Sequence, residues 1–112
     1  IIPFLNDKPE KLIESLASLG VSHITSSTYK VRPDNWRRFS KAFPHTAEKL
    51  HPLYFGEGER ISRYLYLPRN LRHRLMGRVK ELTEKNSMKF GCCREGFSHL
   101  NSALCDGSWL VL

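Results

Sequence analysis

No apolar run in the 112 residues approaches the roughly 18 consecutive positions that a membrane helix needs. The expectation is a chain with no membrane span. Cysteine is scarce and poorly arranged for cross-linking. There are three, an odd number, and Cys92 and Cys93 are neighbours. A disulfide framework is not expected, and a reducing, cytoplasmic setting is. The opening Ile1-Ile2-Pro3-Phe4 has no initiator Met, no basic segment and no small-residue cleavage site, so it does not read as a signal peptide. It reads instead as a fragment cut from a longer chain. Acidic residues are missing from one long stretch. Residues 60–80 hold Arg60, Arg63, Arg69, Arg72, Arg74, Arg78 and Lys80, with His73 among them and no Asp or Glu.

What is present argues for a folded domain. Apolar residues make up 40% of the chain, and six Phe, four Tyr and two Trp argue against disorder. The formal charge of +7 raises the potential around residues 60–80 and favours phosphate-bearing partners. The plain alternative is a solvated helix face, or cations paired with acids elsewhere in a longer protein.

Residues 1–31 organise the reading. Residues 1–5 are a short apolar run closed by the turn chemistry of Asn6-Asp7. Residues 8–19 then take helical period, with Leu12, Ile13, Leu16 and Leu19 on one stripe. Asp7 and Glu10 match an acidic capping box, Pro9 suits the first turn, and Gly20 supplies the left-handed terminator. Residues 21–31 return to β-branched and aromatic positions. The expectation is a βαβ crossover with two parallel strands, which are normally covered on both faces.

The rest of the chain reads as a mainly helical region over 32–87, then a short strand and a cysteine-containing tail over 88–112. Asp34 is placed to cap a helix carrying Trp36, Phe39 and Phe43 on one face. Those rings read as core, with base stacking as the alternative. Pro44 ends that helix, and 46–51 reads as a further short turn. The loop Gly56-Glu57-Gly58-Glu59 has neither dinucleotide nor phosphate-loop spacing. Residues 61–67 fit either a strand or the lead-in to a helix. A long helix follows to about Lys85, with Leu71, Leu75, Val79 and Leu82 inward and the arginines on its flanks. In the tail, Cys93 and Cys105 with His99 between them offer soft ligands for zinc or an iron–sulfur cluster; inert buried thiols are the alternative.

Several segments together resemble a known family. Ile2-Pro3-Phe4-Leu5-Asn6-Asp7 is similar to the "IPGLND" turn after a late barrel strand in radical S-adenosylmethionine proteins of the spore photoproduct lyase type, the DNA repair photolyase-like group. Phe4 stands where a Gly is usual. The stretch Tyr66-Leu67-Pro68, Arg72 and Leu75-Met76, and the tail Cys93-Arg94-Glu95-Gly96-Phe97 with Cys105-Asp106-Gly107-Ser108, look like an archaeal-type subgroup. The resemblance implies an α/β chain: a βαβ unit from the end of a partial (β/α) barrel, followed by a mainly helical C-terminal region. It implies a parent enzyme that uses S-adenosylmethionine and a four-iron four-sulfur cluster on a CxxxCxxC loop. That loop is not in this sequence, so the fragment alone is expected to be inactive.

Parallel α/β architectures collect ligands at the carboxyl ends of strands. That places Asn6, Lys30 and Arg32 toward the cofactor or substrate pocket of the parent, while Asn6 and Asp7 could equally serve only the turn and the helix cap. The competing expectation is a small basic nucleic-acid-binding module that holds phosphates with Arg60, Arg63, Arg69, Arg72, Arg74 and Arg78. Partners expected are the remainder of the parent chain, nucleic acid and, through an exposed parallel edge, a second copy of the chain.

Overall fold

The computed structural model describes residues 1–92 and 95–103. They form a mixed α/β chain: α1 (Glu10–Ser18), β1 (His23–Ser26), α2 (Pro33–Ala42), α3 (Pro44–His51), a π-helical turn (Pro52–Gly56), β2 (Glu59–Ile61), β3 (Tyr64–Tyr66), α4 (Arg69–Lys85), β4 (Lys89–Cys92) and a 3-10 turn (Ser98–Leu100). Contacts divide the chain into two units. The first holds residues 1–7 and 28–72, and the second holds 8–27 and the described residues from 73 onward.

The strand expected at residues 1–5 is a turn. Pro3 has no N–H to give a ladder, and Phe4 adopts a left-handed φ of 66°. The Asn6 side-chain oxygen accepts from the Ile2 N–H at 2.6 Å, while the Leu5 and Asn6 N–H groups return to the Ile2 carbonyl at 3.2 and 3.0 Å. A single backbone bond, Tyr29 N–H to the Ile1 carbonyl at 3.0 Å, ties this turn to the segment after β1. The parallel partner of β1 is therefore not residues 1–5 but β4, in the register His23–Lys89 to Ser26–Cys92.

In the second unit, α1 starts after Pro9 with no side-chain cap, so the Asp7–Glu10 capping box is not made. Its C-terminus follows expectation. Gly20 is left-handed at φ 85°, and the Gly20 and Val21 N–H groups close on the Ala17 and Leu16 carbonyls, the paired bonds of a Schellman stop. Of the expected stripe only Ile13 is buried, while Leu12 and Leu19 face solvent. Met76, Val79, Leu82, Met88, Phe90 and Phe97 complete the apolar core. The outer edge of β4 is sealed by the segment after the 3-10 turn. Ser102 N–H reaches the Phe90 carbonyl at 2.8 Å, and the Cys92 N–H reaches the Asn101 side chain at 2.8 Å.

In the first unit, α2 begins at Pro33, whose fixed φ and missing N–H suit a first turn. Asn35, not Asp34, completes the entry: its side-chain oxygen accepts from the Arg32 N–H at 3.0 Å. Asp34 lies within the first turn and meets Arg38 at 3.6 Å on an exposed face. The ambiguous 61–67 segment divides: Ile61 ends β2, and Tyr64–Tyr66 is β3, antiparallel to β2 across a two-residue loop in which Ser62 has φ 58°. On its other side, Leu65 and Val31 exchange backbone hydrogen bonds at 2.8 Å each. Val31, Ala47, Leu50, Tyr54, Tyr66 and Leu67 are buried here.

Gly58 is fixed by space. A Cβ on it would lie well inside contact distance of the Tyr54 and Tyr66 carbonyl oxygens, whereas one on Gly77 in α4 would meet nothing within 4 Å. Gly58→Ala is therefore expected to destabilise by about 1–3 kcal/mol through overpacking. Gly77→Ala is expected to stabilise by about 0.5–1 kcal/mol through helix propensity. Denaturant unfolding of both variants checks the pair.

Candidate nucleic-acid interface

The π-helical turn sets the site. Its bond from the Glu57 N–H to the Pro52 carbonyl, at 3.0 Å, spans five residues instead of four. This wider turn sends Tyr54 inward and leaves Phe55 half exposed. The Tyr54 hydroxyl donates to the Tyr29 carbonyl, and its ring meets the Tyr29 ring edge-on at 5.9 Å. Phe55 stacks on His51 at 4.5 Å with 17° between planes, and it meets the Trp36 indole edge-on at 5.4 Å. Trp36 in turn stacks against Phe39 at 5.8 Å.

The aromatic face of α2 is thus not the closed core expected of it, since α2 has no fully buried residue. Trp36 and Phe55 form one wall of a cavity of about 320 Å³, and Arg60 and Arg63 of the β2–β3 hairpin border it. Val31, Pro33 and Leu65 line the remainder. That volume is within the range of small-molecule and cofactor sites. The chemistry is an aromatic lining of two rings set 61° apart beside two exposed guanidinium groups, which suits a planar base with a phosphate attached.

The other arginines of the basic run divide. Arg69 and Arg74 lie on exposed positions of α4. Arg78 is paired with Glu10 at 3.3 Å and Glu81 at 3.4 Å. Arg72 is the exception to the expected surface role, being 1% exposed. Its Nε donates to the Leu67 carbonyl at 2.9 Å, one terminal nitrogen meets Glu59 at 2.6 Å, and its guanidinium lies 5.1 Å from the Tyr66 ring centre. It cannot reach a phosphate without unpacking the hairpin. The signal that could have exposed this is the helical spacing of Arg72, Met76 and Thr83, each one position past a leucine of the expected stripe and all three buried with Val79.

Asn6, Lys30 and Arg32 have local explanations. Asn6 closes the N-terminal turn. Lys30 donates to the Thr28 carbonyl at 3.0 Å and lies 5.1 Å from the Tyr66 ring centre. Arg32 lies 5.3 Å from that of Tyr64, and its Nε is buried with no hydrogen-bond partner among the described residues. Residues 30 and 32 thus pair with rings two positions apart on β3, across the Val31–Leu65 bridge. Cys93 and Cys105 lie outside the described residues. Cys92 is buried, and its thiol meets the Phe97 carbonyl at 3.5 Å. No group of three metal-ligating side chains occurs among the described residues, and no helix among them is long and apolar enough to cross a membrane.

Arg72→Leu is expected to cost about 3 kcal/mol, the lower end for breaking a buried pair because Glu59 remains partly solvated. Glu59→Gln, which retains an oxygen acceptor, should cost less; chemical denaturation compares the two. Burial is the larger influence on the Tyr29 phenol and raises it above the ordinary 10.0, with Arg38 opposing. The unfolded chain therefore loses this proton first, and stability should fall as pH rises from about 10 through the folded value. Unfolding at about pH 8 and about pH 11 should show a smaller alkaline loss for Tyr29→Phe. Comparison of the chain with family models, with curated proteins and with solved structures finds no match in any of the three.

Proposed function

We propose that this chain is the substrate-holding portion of a protein of the spore photoproduct lyase type, and that it grips a single nucleic-acid strand. The observation that carries the proposal is the cavity with Trp36 and Phe55 on one wall and Arg60 and Arg63 at its border. A base stacks on the aromatic wall while adjacent phosphates meet the guanidinium groups. The recognition is tolerant of sequence, because every base has a flat face and every nucleotide a phosphate.

Two further observations support the parentage. Phe4 has the left-handed φ of 66° at the position where the resembling family has Gly, so the turn keeps a geometry that Gly would adopt freely. The parallel β1–β4 pair is the kind of pairing that normally occurs inside larger covered sheets such as a partial barrel. The chain's own residues do not fit an iron–sulfur cluster. Its three cysteines lack CxxxCxxC spacing, and the Cys92 thiol is turned to a carbonyl inside the fold. In this reading the radical chemistry and S-adenosylmethionine binding belong to other residues of the parent, and this chain positions the strand.

Binding of a fluorescent oligothymidylate tests the gripping role. Affinity should fall steeply with salt, and removing Arg60 and Arg63 together should lower the slope by about 1.4, at roughly 0.7 per phosphate contact. Trp36→Leu should cost about 1–3 kcal/mol, the worth of one stacked base. No affinity at low salt, or affinity indifferent to Trp36, would overturn it. Parentage is tested separately: the whole gene product, reconstituted with iron and sulfide, should cleave S-adenosylmethionine to 5′-deoxyadenosine. Failure there would remove the parentage and leave strand binding standing.

A further inference from the structure

The second unit carries a pair of histidines that strand binding does not use. His73 lies on α4 and His99 in the 3-10 turn Ser98–Leu100, both exposed. Their Nε2 atoms are 3.5 Å apart, and the rings lie 23° from parallel with centres 5.6 Å apart. The buried Phe97 ring stands edge-on to both, at 5.0 Å from His73 and 6.1 Å from His99. Two surface imidazoles 26 positions apart are thus held against one core ring, with corresponding nitrogens turned to each other.

A direct hydrogen bond is a poor account of this arrangement. At 3.5 Å the separation is beyond the usual 2.7–3.2 Å range, and such a bond would need opposite tautomers on the two rings. A shared metal ion fits better. Two bonds of about 2.05 Å at a tetrahedral angle put the ligating nitrogens about 3.3 Å apart.

We propose that His73 and His99 form a binding site for one divalent transition-metal ion of the zinc class, with both Nε2 atoms as ligands. Imidazole suits zinc, copper and nickel over magnesium and calcium. No third metal-ligating side chain joins the pair among the described residues. Bound metal clamps the 3-10 turn to α4 and thereby holds the segment that seals the edge of β4.

The full chain is titrated with zinc ion alone by calorimetry, alongside His73→Gln, His99→Gln and the exposed control His45→Gln. The wild type and the control should bind about one zinc per chain. Each of the other two should bind roughly 10-fold or more weakly, since losing a ligand costs no less than losing the group that supports one. Zinc should also raise the unfolding temperature of the wild type and not of His73→Gln or His99→Gln. Cobalt as a spectroscopic substitute should bind without a thiolate charge-transfer band, separating this site from the cysteines. Absence of zinc binding, or binding indifferent to both substitutions, would overturn the proposal. Gln keeps the size and polarity of the exposed positions, and circular dichroism confirms that each variant is folded.

Discussion

The buried guanidinium of Arg72 is the constraint on which the first unit depends. Removing such a cation from water costs several kcal/mol even after relaxation. Here the cost is offset by Glu59 at 2.6 Å, by the Leu67 carbonyl at 2.9 Å and by the Tyr66 ring. Those partners sit at the start of β2, just past the end of β3 and within β3. A single side chain therefore fixes both strands of the hairpin to the first turn of α4. A hairpin of two three-residue strands has too little buried surface to persist unaided. With Arg72 in place, and with the Val31–Leu65 backbone pair on the opposite edge, it is held on both sides.

Holding the hairpin is what makes a site. Arg60 points out from β2 and Arg63 from the loop, and both reach the cavity bounded by Trp36 and Phe55 because the strand pair is anchored there. The opposite wall is held independently. Asn35 receives the Arg32 N–H and the Tyr29 hydroxyl, fixing the entry of α2, while the buried Tyr54 holds the π-helical turn that presents Phe55. Charge and aromatic surface come from separate elements, each held by polar contacts at least partly buried. Such preorganisation lowers the ordering cost of binding a flexible ligand.

Much of the secondary structure was legible in local chemistry. Gly20 announced the end of α1, and the apolar period from Leu71 announced a helix ending near Lys85. The mixed α/β character was also readable, but the parallel pair was not: the crossover expected between residues 1–5 and 21–31 is absent, and β1 pairs with β4 instead. Residues 1–5 carry strand-like side chains, and Pro3, which demotes such a run, was the local sign of the turn that the Asn6–Ile2 bond closes. β4 lies more than sixty positions away, a distance at which local pattern carries no pairing information. Arg72 was hidden for a related reason. Its acid, Glu59, sits 13 positions earlier in a stretch that read as a loop with no recognisable motif, so a run of arginines looked uniformly exposed. The site was legible in its parts, as a basic run and an aromatic stripe, and not in their meeting. That Trp36 borders an open cavity depends on the wider turn at Pro52–Gly56, which no residue pattern marked.

The central claim is that the Trp36 indole forms the surface on which a nucleic-acid base rests. The sequence has two tryptophans, Trp36 and Trp109, so Trp109→Phe leaves Trp36 as the sole indole reporter. Titrating that variant with oligothymidylate while recording indole emission is the most direct measurement. The account predicts quenching that saturates with binding and reverses with added salt. Strand binding seen by anisotropy with Trp36 emission unchanged would contradict it.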